Sequence, residues 1–301
     1  MAEVPYSRIG ELLRGLFEVL MEHPDGLPAR QAIAATEQRV PATPYEQTTL
    51  PTNGERRYEN ILRWMTVDCV KAGWIIKAHG RWSITDDGRA AYDSIPDPEA
   101  FYRKANQLYH EWRKNTPKSP TSSTTPEAVA ADAPDEKSAG ITFEQAEEQA
   151  WTEIERHVTT MPPYEFQELV ASLLRAMSYH VGWVAPPGKD GGVDIVAYND
   201  PLGTRPPRIK VQVKRQQARV DVNGLRSFMA LLGADDVGLF VNTGGFTKDA
   251  QDEARTQHTR RITLLDLERL LDLWTEHYGR LDEAARRRLP LQPIYFLAPE
   301  G

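Results

Sequence analysis

Residues 188–198 read Gly188-Lys189-Asp190-Gly191-Gly192-Val193-Asp194-Ile195-Val196-Ala197-Tyr198, and residues 208–214 read Arg208-Ile209-Lys210-Val211-Gln212-Val213-Lys214. The second segment alternates without a fault: Ile209, Val211 and Val213 on one side, Arg208, Lys210, Gln212 and Lys214 on the other. Period-2 alternation rich in β-branched residues predicts a half-buried strand. Its polar face is a row of cations broken by one amide. Val193–Tyr198 predicts a second strand, with Asp194 near its start after a glycine-rich turn. Between the two lie Asp200-Pro201-Leu202-Gly203 and Pro206-Pro207, turn chemistry that returns the chain antiparallel. Asp194 then faces the Gln212-x-Lys214 pair on the neighbouring strand.

Helices and strands extend outward from this pair. Upstream, Phe166, Leu169, Val170, Leu173, Leu174 and Met177 form one face of an amphipathic helix, followed by a strand over 179–185. Downstream come a helix over 223–232, a buried strand over 237–241 and a helix capped by Thr247. A strand over 262–265 and a helix capped by Asp266 follow. The order α-β-β-β-α-β predicts an α/β domain, a mixed sheet flanked by helices. Nearer the N-terminus, helices over 7–23, 29–35 and 57–72 precede two short strands around Gly80, then a helix from Asp86. Ser7 is read as the first N-cap, and three helices closed by a hairpin predict an α+β winged helix, a common duplex-DNA reader. Thr116–Gly140, with Pro117, Pro120, Pro126 and Pro134 among Ser, Thr, Ala and acidic residues, reads as a flexible linker. The expected organisation is a recognition domain over 1–114, a linker over 115–141, a catalytic domain over 142–290 and a tail over 291–301.

Composition decides little. The 301 residues carry a net charge of −7, so the chain does not advertise nucleic-acid binding. Local cationic clusters can still hold phosphates; Arg56, Arg57, Arg81, Lys189 and Arg215 are the candidate DNA contacts. Trp82, on the wing, is expected to pack rather than stack on a base. Cys69 is the sole cysteine, which excludes an internal disulfide and a cysteine zinc site. No apolar run approaches the ~20 residues of a membrane span, and no basic-then-apolar leader opens the chain. The expected setting is the cytoplasm.

The residues at the two strands suit one chemistry. Phosphodiester hydrolysis needs a cation, an activated water and support for a crowded phosphorus. Asp194 offers a carboxylate, Gln212 an amide oxygen and Val213 a backbone carbonyl, which is an oxygen set for Mg²⁺ or Mn²⁺. Lys214, two residues from Gln212, shares its face and can orient the water. A D-G-G tripeptide by itself is a turn, and Q-x-K by itself a solvated strand face. In this order on adjacent strands, and alongside the further segments of the resemblance below, they are expected to make a site. A glycine-rich phosphate loop of the nucleotide-triphosphatase type is absent.

Residues 142–278 resemble the catalytic domain of Mrr-type restriction endonucleases, within the PD-(D/E)xK nucleases. The matching pieces are Tyr164-Glu165-Phe166-Gln167-Glu168-Leu169-Val170, Gly188 to Asp194, Gln212-Val213-Lys214, and Phe240-Val241-Asn242-Thr243-Gly244-Gly245-Phe246-Thr247. Residues 6–92 are similar to that family's winged-helix domain. The resemblance implies Asp194, Gln212 and Lys214 as the catalytic triplet and cleavage of foreign double-stranded DNA, modified DNA included, in defence. Two strands and one site per chain imply a homodimer or higher oligomer, or successive nicks. The family often places an acid after the helix Phe, where this chain has Gln167, and Glu168 points away from the site side. A rival expectation is a DNA-binding regulatory protein with a silent nuclease fold. Another is a repair nuclease acting on branched DNA.

Overall fold

The computed structural model describes residues 4–51, 54–115, 133–188, 191–257 and 260–294. The described residues divide into two compact units, one up to residue 152 and one over 153–294.

In the first unit, α1 (Tyr6–Met21), β1 (Leu27–Pro28), α2 (Ala29–Arg39) and α3 (Arg57–Lys71) precede β2 (Ile75–Ala78) and β3 (Arg81–Ile84). Helices α4 (Asp86–Ser94) and α5 (Pro98–Asn115) follow, and the sheet runs β1-β3-β2, antiparallel throughout. Three helices thus precede the β2–β3 hairpin, which is joined by a two-residue strand, β1, too short to show any periodicity. The core joins Leu12, Leu13, Leu16 and Phe17 of α1 to Leu62, Met65 and Cys69 of α3 and to Phe101 and Tyr102 of α5. Phe101 stacks on Trp74 at 5.1 Å and meets Phe17 edge-on at 5.0 Å. Ser7 does not cap α1; the helix starts at Tyr6 with Pro5 at the cap, whose fixed φ suits a helix entry.

Helix α6 spans Ala133–Thr160, and the compact division falls after Thr152. Glu144, Gln145 and Glu148, before that division, bond other side chains of the first unit. Glu144 accepts from Trp82 Nε1 at 2.9 Å and pairs with Lys77 at 2.6 Å. Glu148 pairs with Arg63 at 2.6 Å, and Gln145 donates to Glu55 at 2.7 Å. Residues 116–132, most of the expected linker, lie outside the described residues, and its last part, 133–141, is helical.

The second unit contains α7 (Pro163–Ala176), β4 (His180–Val184), β5 (Ile195–Tyr198), β6 (Arg208–Lys214) and α8 (Val222–Met229). It continues with β7 (Asp236–Asn242), α9 (Lys248–Thr256), β8 (Arg261–Leu265), α10 (Leu267–Glu276) and α11 (Glu283–Arg288). The sheet order is β4-β5-β6-β7-β8. Strands β4, β5 and β6 pair antiparallel, and β6, β7 and β8 pair parallel. This is the mixed α/β sheet that the sequence predicts, in the predicted order. Helices α8 and α9 bury Phe228 and Ala250 against Phe240 of β7, with Ile262 and Leu264 of β8 beside them.

The cation row of β6 divides into two parts. Arg208 and Lys210, at its start, pair with the buried Asp236 at 2.8 and 2.9 Å. Burial alone would raise that carboxyl's pKa, but hydrogen bonds from Arg208, Gly233 N–H and Lys210 outweigh it and hold it well below the usual range. A carboxyl depressed on folding stabilises the native state above its unfolded pKa of ~3.9 and loses that contribution as pH falls further. Acid titration of stability below about pH 4 is therefore expected to be shallower in Asp236→Asn than in the unchanged chain. Equal slopes in a pH series of urea melts would contradict this. Gln212 and Lys214, at the other end of β6, remain for the site.

Candidate active site

Asp194 reaches the site because the chain turns sharply just before it. Gly191 and Gly192 have φ of 48° and 81°, the left-handed region that glycine enters without strain. A Cβ on Gly192 would also lie 2.6 Å from Leu231 Cδ1. Asp190 and Lys189 lie outside the described residues. After the turn, Asp194 N–H donates to Val211 O at 2.8 Å, and Ile195 pairs with Val211. Asp194 is thereby set beside Gln212, as the antiparallel reading requires. The residue is 8% exposed, and its Oδ2 accepts from Val213 N–H at 2.7 Å. A charge-assisted bond of this kind fixes the rotation of the carboxylate.

Gln212 and Lys214 share the sheet face that carries Phe240, with Lys214 Nζ 5.5 Å from that ring's centre. The backbone after Lys214 is stapled to the loop after β7. Thr243 N–H donates to Lys214 O at 3.1 Å, and Gln216 N–H to Thr243 Oγ1 at 3.0 Å. The fully buried Asn242 donates from Nδ2 to Ala218 O at 3.1 Å and to Gly245 O at 2.5 Å. Gly244 permits the approach, since a Cβ there would meet Gln217 O at 2.4 Å. Thr247 caps α9, accepting from Ala250 N–H at 3.3 Å, whereas Thr243 bridges loops rather than capping. The motif Phe240–Thr247 had flagged these residues, but nothing in the sequence states that Asn242 and Thr243 hold the end of β6.

Helix α7 supplies two further contacts. Tyr164 Oη accepts from Gly188 N–H at 2.9 Å, steadying the glycine-rich loop. Gln167 is buried and donates to backbone carbonyls at the stems of that loop. Glu168 points elsewhere and pairs with Arg175 at 3.5 Å, in line with the helical-wheel expectation.

The oxygen donors that the register sets on these neighbouring strands are the Asp194 carboxylate, the Gln212 amide and the Val213 backbone carbonyl. An all-oxygen set with a single carboxylate suits Mg²⁺ or Mn²⁺, ions that retain waters and take further ligands from substrate phosphates. Among the described residues no three His, Cys, Asp or Glu side chains cluster as a metal-binding group.

The candidate DNA contacts are engaged within the chain. Arg56 pairs with Glu37, its Nη1 donating at 3.0 Å. Arg57 donates to Thr48 Oγ1 at 2.9 Å and lies over the Tyr45 ring at 4.9 Å. Arg81 donates to Gly26 O at 2.8 Å, and Arg215 to Thr159 O. Lys189 lies outside the described residues. Trp82, on β3, is buried, as expected of a packing residue.

Residues 158–274 match a family model described as a restriction endonuclease, the Mrr catalytic domain, and residues 10–94 match the Mrr N-terminal domain. The type IV methyl-directed restriction enzyme EcoKMrr of Escherichia coli (strain K12) is 26% identical over 291 residues, 89% of this chain and 91% of that protein. A solved structure of the MspJI restriction endonuclease with a 27-mer oligonucleotide aligns with a TM-score of 0.30 at 16% identity. It covers 73% of this chain and 55% of its own. No described helix is long and apolar enough to cross a membrane.

Proposed function

We infer the activity from the family to which this chain belongs, the Mrr-type restriction endonucleases: it is a DNA-cleaving enzyme of defence, acting on modified double-stranded DNA with a divalent cation. The observation that carries the reading is the pairing of the Asp194 segment with the end of β6 that holds Gln212 and Lys214, inside the matched restriction-endonuclease segment. The Asp194 carboxylate, the Gln212 side-chain oxygen and the Val213 carbonyl would hold a divalent cation, which would supply charge neutralisation and a more acidic water. Lys214, on the face of Gln212, orients the attacking water and offsets the charge that develops on the phosphate oxygens as the P–O bond breaks. Asp194, fixed by Val213 N–H, holds its charge in one direction through the reaction. The winged-helix unit docks the duplex, and two chains together cut both strands.

A silent DNA-binding reading is not favoured, since all three site residues are present and their backbone is fixed by hydrogen bonds on both flanks. The test is cleavage of methylated and unmethylated plasmid by the full chain with Mg²⁺, with Mn²⁺, and with excess chelator. Cutting of methylated plasmid that stops on chelation is expected. Cutting undiminished by chelator would remove the cation from the mechanism, and equal cutting of both plasmids would remove the preference for modification.

A further inference from the structure

Gln167 occupies the position on α7 where a metal-ligating acid would otherwise be sought, and its surroundings assign it other work. The residue is 6% exposed. Its Nε2 lies 2.9 Å from Ala185 O and 3.4 Å from Asp194 O. Both partners are carbonyl oxygens, which accept and cannot donate, so the NH₂ end of the amide must face them. Ala185 is the residue that enters the glycine-rich loop and Asp194 the one that leaves it. Ala185 N–H closes the same pair by donating to Asp194 O at 2.7 Å. The amide therefore spans the two stems of residues 186–193 from a helix that packs on β4, β5 and β6.

We propose that Gln167 is a positioning residue of the nuclease: it pins the loop stems, and with them the backbone from which Asp194 extends, and it does not ligate the cation. The proposal rests on the reading of Asp194 as the catalytic carboxylate. An ionised glutamate in this place would set a carboxylate oxygen against two carbonyl oxygens, with no proton to share. The amide is thus what this site requires, and its presence is no sign of a decayed centre.

Two substitutions separate positioning from ligation. Gln167→Met keeps the length and bulk but has no donor. Gln167→Glu keeps the shape and replaces the donor with a carboxylate. Cleavage kinetics over a Mg²⁺ titration are measured on the full chain, together with hydrogen exchange on the metal-free protein. Positioning predicts a fall in kcat of about 10–100-fold for Gln167→Met, as is usual when a supporting partner of a site is lost. It predicts a fall at least as large for Gln167→Glu, with KM unchanged in both. Peptides covering 185–195 should exchange faster, while those covering β6 and β7 keep their protection and report an intact fold. Cutting by Gln167→Glu at or above the unchanged level, or at lower Mg²⁺, would make the position a ligand and overturn the proposal. So would a Gln167→Met protein that matches the unchanged chain in both readouts. Asp194→Asn is run alongside. If it still cuts, the premise is lost and the catalytic part of the proposal with it, while the exchange data decide the anchoring of the loop independently.

Discussion

Asp194→Asn is expected to reduce DNA cleavage by at least about 10³-fold, equivalent to ~4 kcal/mol of transition-state stabilisation. The substitution is chosen for what it preserves. An asparagine Oδ1 can still accept from Val213 N–H, the 2.7 Å bond that fixes the carboxylate. The backbone bonds to Val211 and Ala185 do not involve the side chain. Only the charge leaves, and with it the one carboxylate of the proposed oxygen set. DNA binding measured by electrophoretic mobility shift should be retained, and the melting curve should overlay that of the unchanged chain. Cleavage within about tenfold of the unchanged rate, where the missing charge is worth less than ~1.4 kcal/mol, would reject Asp194 as the catalytic carboxylate.

Arg63→Met carries the largest expected loss of stability. The Arg63 side chain is 4% exposed and sits among three carboxylates: Glu148 at 2.6 Å, Glu144 at 3.1 Å and Glu55 at 3.6 Å. It also lies 5.8 Å from the Trp82 ring centre. Removing one partner of a buried ion cluster strands the others in low dielectric, at a cost of about 3–5 kcal/mol. Lys77, whose own pKa is lowered by burial against the pull of Glu144, and Arg30, 3.5 Å from Glu148, compensate only in part. Five of the seven tryptophans, at 64, 74, 82, 112 and 151, lie in this unit, so fluorescence-detected urea melts follow it directly. The double variant Arg63→Met with Glu148→Met should recover part of the loss, because it removes the stranded charge as well. A single-variant loss under about 1 kcal/mol, the range of solvent-exposed pairs, would mean that water reaches the cluster.

The contrast between these two residues shows what the chain discloses in one dimension. Asp194, Gln212 and Lys214 were legible because a strand writes its two faces in alternate positions, and a glycine pair writes a turn. The whole of β6 follows from that alternation, down to both end residues. Arg63 was illegible because helix periodicity is read from apolar residues. The hidden face of α3 holds Arg63, Thr66 and Asp68 among its apolar neighbours, while Ile61 and Val70 are only partly buried. A charged residue paired at a distance of 81 or 85 positions leaves no local signal. The placement of Glu144 and Glu148 was missed for the same reason: composition registers a polar helix but not the partner it docks on. Gln167 lies between these cases, since its position on the helix was readable and the two carbonyls that need its amide were not.

Strand β6 is hydrogen-bonded antiparallel on one side and parallel on the other, and it carries both the hydrophobic pins of the sheet and two of the three proposed site residues. A slip of one residue in its pairing would turn Val211 and Val213 to the polar face and bury Gln212 and Lys214. Core and chemistry would be lost in the same event. Folding fidelity and activity are therefore not separable quantities in this protein: a chain that has paired wrongly carries no weakened or relaxed scissors, only an inert and unstable sheet. For an enzyme that acts on DNA, that coupling is a safeguard written into a single strand.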